Sequence, residues 1–246
     1  MKKILFIVLA ISFFSATYAQ KPIVKRNFLF RSSNFDLLIV KSKLSTSTTV
    51  VFFDNIQKLN DAELFSFDTT AFAITASIVD SSCKPLGLFV NNGTEISKIN
   101  YDTMGVGNFF MPENGILCYT LDNQFKIERS KTFHSNTNIK HAVQTGPLLI
   151  WNFKINPSFG VSSKNKNIRC GVGMFTKNGE EYIVFVKSII PVNYFDFASL
   201  FQDEFQCNIA LTMESGNNAA MTLPGLSTSI GIQNVICRYL KISFTD

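Results

Sequence analysis

One carboxylate stands at the end of an apolar run in the segment CNIALTMESGNN, which covers residues 207–218. The run is typical of a short buried strand. Glu214 follows it directly and is surrounded by small and amide-bearing residues. A carboxyl group held at a strand end can donate or accept a proton during hydrolysis, so Glu214 is the first candidate for chemistry.

The cysteines and histidines form no catalytic or metal-binding pattern. There is no paired Cys-x-x-Cys, and the lone residues His134 and His141 have no clustered carboxylates, so we predict neither a metal site nor a cofactor. No histidine signature supports a nucleophilic cysteine, and we interpret most cysteines as buried apolar residues. Export would allow a disulfide, but the wide spacing fixes no pairing among Cys83, Cys118, Cys170, Cys207 and Cys237.

Strands joined in hairpins account for most local patterns. β-Branched and aromatic residues dominate FDLLIVKSK and TTVVFFD, and apolar residues dominate AFAITASIVD, LGLFVNNG and the late segment NVICRYLKISF. Two hairpins are predicted, with turns at Asp122-Asn123 and at Asn178-Gly179, because such pairs between strands favour tight turns. Antiparallel pairing is therefore expected.

One segment, VNYFDFASLFQDEFQC, has a clear helical pattern. Its apolar residues form one stripe, opposite a polar face, and we interpret the stripe as core packed on a sheet, with a partner groove as the alternative. The stripe consists of Phe197, Leu200, Phe201 and Phe205. A second helix or helical turn is predicted over NIQKLNDAELFSF, capped by Asp54 or Asn55. These patterns predict an α+β fold, a mixed and largely antiparallel sheet with hairpins, packed by a few helices in a single domain.

The first residues, MKKILFIVLAISFFSATYAQ, predict export. Two lysines precede an apolar run that is too short for a membrane span, and small residues end at Ala19. We predict a signal peptide over residues 1–19 and one domain over residues 20–246, in a secreted or periplasmic protein. No cysteine follows the cleavage point, so no lipid anchor is predicted. An uncleaved anchor helix is the alternative.

The remaining chain is only weakly basic. Loss of Lys2 and Lys3 reduces the 23 basic side chains to 21, against 18 acidic ones, a net charge of +3. This charge is too small and too dispersed to indicate nucleic acid binding. Charged residues also interrupt every later apolar run, so no membrane span is predicted after signal removal.

Four stretches occur in an informative order: PLGLFVNNG, QTGPLLIW, IRCGVGMFTKNG and VNYFDFASLFQDEFQCNIALTMESG. In this order, between about Phe72 and Leu223, they resemble the phosphodiester glycosidase domain. That family includes the lysosomal uncovering enzyme, which removes N-acetylglucosamine from its phosphodiester link to mannose phosphate. The resemblance implies a sugar phosphodiester or glycan as the ligand.

The resemblance also implies site residues. Cleavage of a glycosyl phosphodiester needs a group that holds the phosphate, a carboxyl that handles protons, and polar groups that orient the sugar. Arg169 would offer its planar guanidinium to phosphate, with a structural ion pair as the alternative. In the motif Gln144, Thr145, Gly146, the hydroxyl would bind phosphate and the glycine would allow close backbone approach, although this stretch is also an ordinary strand-to-turn transition. Glu214 would be the catalytic carboxyl.

Several positions depart from the family pattern. Thr75 stands where the family has the Asn of Asn-Ala-Gly, Cys170 replaces a frequent Asn, and Asn218 falls where a Ser is expected. Glu214 and Ser215 replace Asp-Gly, which moves the carboxyl by about 1.5 Å, and a displacement of about 1 Å can cost 10²-fold in rate. Three altered motifs indicate altered or absent catalysis.

Three hypotheses follow. The first is an exported hydrolase in which Arg169 and Thr145 hold phosphate and Glu214 acts as general acid or base. The second is a non-catalytic relative that binds a glycan or a phosphate-bearing ligand, and the third is a purely structural exported domain. The substrate-binding residues would be Thr75, Gln144, Thr145, Gly146 and Asn218. The first hypothesis predicts that Thr75, Thr145, Arg169 and Glu214 line one cleft, which requires Arg169 and Glu214 to share a face of the sheet.

Overall fold

The computed structural model describes residues 21–53, 71–225 and 237–244. The predicted signal peptide and the predicted helix over residues 55–67 lie outside these residues. The strands are β1 Ile23–Phe30, β2 Ser33–Lys41, β3 Thr49–Phe53, β4 Ala71–Thr75, β5 Phe89–Asn91, β6 Thr94–Ser97, β7 Gly115–Thr120, β8 Phe125–Arg129, β9 Ile139–Thr145, β10 Leu148–Trp151, β11 Lys154–Ile155, β12 Arg169–Lys177, β13 Glu180–Ser188, β14 Ile209–Ser215, β15 Met221–Thr222 and β16 Tyr239–Ser243. One α-helix among the described residues, α1, covers Tyr194–Asp203.

The strands form three antiparallel sheets. A seven-stranded sheet has the order β1-β2-β13-β12-β14-β10-β11, a four-stranded sheet has the order β15-β4-β16-β3, and a five-stranded sheet has the order β6-β5-β9-β7-β8. Both predicted hairpins are confirmed as β7-β8 and β12-β13. In the second turn, Asn178 and Gly179 both have positive φ, 52° and 78°, as the tightest hairpin turns require.

Helix α1 covers one face of the seven-stranded sheet. It begins after Asn193, whose side chain accepts a hydrogen bond from the Asp196 backbone amide at 2.7 Å. Phe197, Leu200 and Phe201 are fully buried in the core on this side. A Cβ atom on Gly173 of β12 would lie 2.6 Å from the Phe201 ring, so the ring packs directly on the strand backbone.

The interpretation of the apolar stripe as core is therefore confirmed. Its last member, Phe205, lies beyond the end of the helix and is only partly buried. It still packs against Phe175 of β12, at a ring centroid distance of 5.5 Å.

The other face of the seven-stranded sheet packs against the two smaller sheets. Phe185 of β13 contacts Phe72 of β4 at a ring centroid distance of 4.9 Å, and Phe125 of β8 at 5.8 Å. A single core cluster contains residues of all three sheets. The abundant phenylalanines thus fill the space between the sheets.

The predicted fold class needs correction. The antiparallel pairing is confirmed. The described residues form three sheets with a single α-helix, so the fold is predominantly β. The prediction of a few packing helices therefore overestimated the helical content. The sheets are set by pairings distant in sequence, such as β4 with β16, and local patterns carry no signal for these.

A disulfide joins Cys83 to Cys237, with their Cα atoms 5.3 Å apart. It links the loop after β4 to the residues before β16. Cys118, Cys170 and Cys207 are free and buried, which confirms that most cysteines are small core residues.

Candidate active site

The C-terminal end of β14 is where the predicted site residues meet. Thr145, the last residue of β9, donates hydrogen bonds from Oγ1 to the carbonyls of Thr212 and Met213, at 3.0 and 2.9 Å. Arg169, the first residue of β12, donates from Nη1 to Ser215 Oγ at 3.2 Å. Two strands therefore place their ends on either side of the segment that carries Glu214.

Thr75 reaches the same region from the four-stranded sheet. Its backbone amide donates to the Ala220 carbonyl at 3.0 Å, and its hydroxyl accepts from the Ala220 amide at 3.2 Å. Ala220 follows β14 after one turn of 3-10 helix, Gly216–Asn218. Thr75, Thr145 and Arg169 thus all contact residues between 212 and 220, although they lie far apart in sequence.

Glu214 is a buried carboxyl without an ion-pair partner among the described residues. Burial raises its pKa to about 7, because desolvation disfavours the charged form. Its Oε1 accepts a hydrogen bond from the Ser215 amide at 2.8 Å, which offsets only part of this rise in pKa. A carboxyl with a pKa near neutrality is suited to both donating and accepting a proton.

Arg169 is a fully buried cation. Besides the bond to Ser215, Nε donates to the Val192 carbonyl at 2.9 Å and Nη2 donates to the Asn165 carbonyl at 3.2 Å. The guanidinium lies over the Tyr194 ring, 3.5 Å from its centroid. Three of its roughly five N–H donors are engaged within the protein.

Arg169 and Glu214 point to opposite faces of the sheet. Arg169 pairs with Ser215 across β12 and β14, and Cys170 pairs with Glu214. Successive side chains on a strand alternate between faces, so Arg169 lies on the side of α1 and Glu214 on the side of the smaller sheets. The expected cleft lined by both side chains is not formed. Arg169 approaches Glu214 only through Ser215, and its role in binding a substrate stays a prediction.

The hydroxyls of Thr75 and Thr145 are also engaged with the backbone. Both hydroxyls are buried. Thr75 Oγ1 lies within hydrogen-bond distance of the Ala220 carbonyl, after β14, and Thr145 Oγ1 donates to the Thr212 carbonyl, within β14. These contacts hold the end of β14 in place. Direct contact of either hydroxyl with a substrate stays a prediction.

The side-chain amide of Gln144 forms hydrogen bonds within the protein. Its Oε1 accepts from the amides of Leu88 and Asn100 at 3.0 and 2.8 Å, and its Nε2 donates to the Asn100 carbonyl at 2.5 Å and to Ser130 Oγ at 3.3 Å. These bonds hold neighbouring segments against β9. The structure does not bring this amide to Glu214.

Gly146 and Asn218 differ in their surroundings. A Cβ atom on Gly146 would lie 1.9 Å from Asn114 Oδ1, so the close approach that this glycine allows is to an internal side chain. Asn218 is exposed at the end of the 3-10 helix after Glu214. Its exposure leaves its side chain open to a ligand.

Three residues at this end of the sheet were not predicted. The Tyr194 hydroxyl and Thr212 Oγ1 are both buried, and the Tyr194 hydroxyl lies beside Thr212 and Ser215. Lys187 is a buried lysine near the end of β13. The segment EYIVFVK carries no signal for it, because residues 182–186 are all apolar and do not alternate with polar residues.

Within residues 21–53, 71–225 and 237–244, no group of three or more His, Cys, Asp or Glu side chains is placed to hold a metal ion. No helix in this part of the chain has the length and hydropathy needed to cross a membrane.

One family model matches this chain over more than half of its length. Residues 68–237 match the sequence model of the family described as phosphodiester glycosidase (NAGPA). An uncharacterized protein of Escherichia coli (strain K12), YigE, is 35% identical over 137 residues, which are 56% of this chain and 52% of that protein. The chain thus spans about half the length of this curated relative.

Two solved structures have a similar fold. The first is the zebrafish N-acetylglucosamine-1-phosphodiester alpha-N-acetylglucosaminidase catalytic domain, auto-inhibited by its pro-peptide, with a TM-score of 0.58 and 12% identity. The match covers 92% of this chain and 83% of that domain. The second is a hypothetical protein from Synechocystis, with a TM-score of 0.53, 12% identity and coverage of 90% and 61%. At this identity the likeness concerns the fold alone.

Proposed function

Because the chain belongs to the phosphodiester glycosidase family, we propose that it is an exported protein that acts on a sugar phosphodiester of an envelope or extracellular glycan. The observation that carries this proposal is the Glu214 carboxyl. It lies buried at the end of β14 with a pKa of about 7, among the strand ends where the family resemblance locates the site.

In the proposed reaction, Glu214 is the proton donor. Its carboxyl gives a proton to the bridging phosphate oxygen as the bond from that oxygen to the anomeric carbon breaks. Water forms the new bond to the anomeric carbon, and its released proton returns to the carboxylate. The products are a free sugar and a phosphate monoester.

Export is part of the proposal and has support at two places. The first residues have the charge and apolar pattern of a signal peptide. The bond between Cys83 and Cys237 suits an oxidising compartment, since disulfides persist mainly outside the cytosol.

A second function is binding without turnover. It is favoured because the polar groups near Glu214 are hydrogen-bonded to the protein itself or lie on the other face of the sheet. The hydroxyls of Thr75 and Thr145 bond the backbone, and the Arg169 guanidinium lies on the other face from Glu214. Together with the substitutions at three motifs, these contacts leave Glu214 with few groups that could orient a sugar.

Turnover of a glycosyl phosphodiester by the purified mature protein separates the two functions. We expect slow release of free sugar from the phosphodiester over a broad pH range, with divalent metals supplied. Combining Thr75→Asn, Glu214→Asp and Ser215→Gly should raise the rate by about 10²-fold, because the carboxyl returns by about 1.5 Å and an amide replaces a hydroxyl.

A matched control makes the same chemical changes on exposed residues: Thr176→Asn, Glu181→Asp and Ser162→Gly. We expect the control to leave the rate unchanged. If neither the natural protein nor the variant with the three family residues turns over substrate while both remain folded, hydrolysis is excluded. In that case, binding of a sugar phosphate by the natural protein would support the second function.

A further inference from the structure

Lys187 lies in the same row of side chains as Glu214. Lys187 on β13 is directly opposite Cys170 on β12, and Cys170 is directly opposite Glu214 on β14. Residues opposite each other on antiparallel strands point to the same face of the sheet. The ammonium and carboxyl groups therefore share one face, and their Cα atoms lie about 10 Å apart, two strand spacings.

The Lys187 ammonium has no partner in the described part of the chain. The residue is only 9% exposed and makes no hydrogen bond or ion pair with any described residue. The next carboxylate in the row, Asp36 on β2, instead accepts a hydrogen bond from the Asn27 amide at 3.1 Å. An ammonium that makes no ion pair with a described carboxylate offers three N–H donors to an anionic ligand.

One small side chain, Cys170, lies between the two charges in this row. Cys170 is small, fully buried and close enough to both groups to respond to them: Lys187 lowers the pKa of its thiol and Glu214 raises it. Burial dominates and raises this pKa to about 12, so Cys170 is a neutral thiol that separates the two groups.

We propose that Lys187 binds the phosphate of the ligand beside Glu214, on the face of the sheet opposite Arg169. The inference rests on the proposed function and names the cation of that site. A lysine ammonium is a common phosphate-binding group, since it offers a compact charge with three donors. Glu214 is compatible with a phosphate neighbour, because a carboxyl that keeps its proton near neutral pH donates a hydrogen bond to an oxygen atom.

The test measures binding of inorganic phosphate and of glucose 1-phosphate to the mature protein by titration calorimetry. Lys187→Met removes the charge at nearly constant length and should weaken binding by about tenfold or more. Lys187→Arg keeps the charge and should retain most of the affinity. Lys177→Met, an exposed lysine at the far end of β12, is the matched control and should bind as the natural protein does.

Thermal unfolding of the same variants separates a binding role from a structural one. Because the Lys187 ammonium makes no ion pair with any described residue, Lys187→Met should lose binding while keeping its melting temperature. A variant that lost both together would show that Lys187 supports the fold, and this would overturn the inference. If Lys187→Met did not fold, the Lys187 side-chain signal in the NMR spectrum of the natural protein should shift on adding phosphate, and an unmoved signal would overturn it too.

The two proposals fail differently. If the natural protein binds either probe and Lys187→Met binds it equally well, Lys187 is not the phosphate cation, and the proposed function is untouched. If the natural protein binds neither probe and turns over no glycosyl phosphodiester, the proposed function and the role of Lys187 both fall.

Discussion

Glu214→Gln is expected to be more stable than the natural protein by about 3 kcal/mol at about pH 8, and equally stable at about pH 4. The pKa of Glu214 is raised from its ordinary 4.5 to about 7, so the folded state holds this proton more tightly than the unfolded state does. The stabilisation by the neutral carboxyl is complete below 4.5 and is lost as the pH rises through 7. Glutamine stays neutral throughout.

Urea unfolding of both proteins at a series of pH values gives the measurement. The difference in free energy of unfolding should grow between pH values of about 4.5 and 7 and then level off. Glu95→Gln, which changes an exposed glutamate on β6, is the control and should show a difference that is small at every pH. A difference for Glu214→Gln that does not vary with pH would show that this carboxyl is not desolvated.

The same variant should release no sugar from a glycosyl phosphodiester, because an amide cannot exchange the proton. A substitution that raises stability and removes activity is the behaviour expected of a group kept for function at a cost in stability. A variant that retained full turnover would assign the proton transfer to another residue, whatever its effect on stability.

The local elements could be predicted from the sequence. The Asn178-Gly179 turn, the β7-β8 hairpin and helix α1 depend on neighbours within a few residues, and the patterns of those residues suffice. The division into three sheets could not be predicted. It depends on contacts such as the one between β4 and β16, whose energy comes from side-chain packing across the sheet.

The site was predicted in part for the same reason. Thr75, Thr145 and Arg169 come from distant segments and contact residues near the end of β14, as the order of motifs led us to expect of the strand ends, and their roles in a site stay predictions. The side of the sheet that each residue occupies was missed, because it depends on a register shift between Cys170 and Gly171 that displaces the alternation in β14. That shift puts Glu214 opposite Cys170.

The same alternation explains why Lys187 was overlooked. Its strand reads as continuously apolar, and its inward position emerges only when β12 and β13 are paired. Lys187 makes no ion pair with a described residue, whereas Arg169, singled out by its motif, is held by three internal hydrogen bonds.

Phe201→Ala is expected to lower the free energy of unfolding by about 3 to 5 kcal/mol, the usual penalty for removing a buried aromatic ring. The ring is fully buried and packs edge-on against Phe197 at a centroid distance of 5.3 Å. It also lies on Gly173, where no side chain is present to fill the space after truncation. The cavity would open between α1 and Gly173 of β12, which pairs with Ala210 near the beginning of β14.

Urea unfolding at fixed pH measures the loss, with Tyr101→Ala as the control. Tyr101 is an aromatic residue that is 59% exposed, and its truncation should change the free energy of unfolding by less than about 0.5 kcal/mol. A loss below about 1 kcal/mol for Phe201→Ala, with an unchanged denaturant dependence, would mean that the stripe faces solvent or a partner. A loss in the expected range would establish that α1 packs as core on the face of the sheet opposite Glu214.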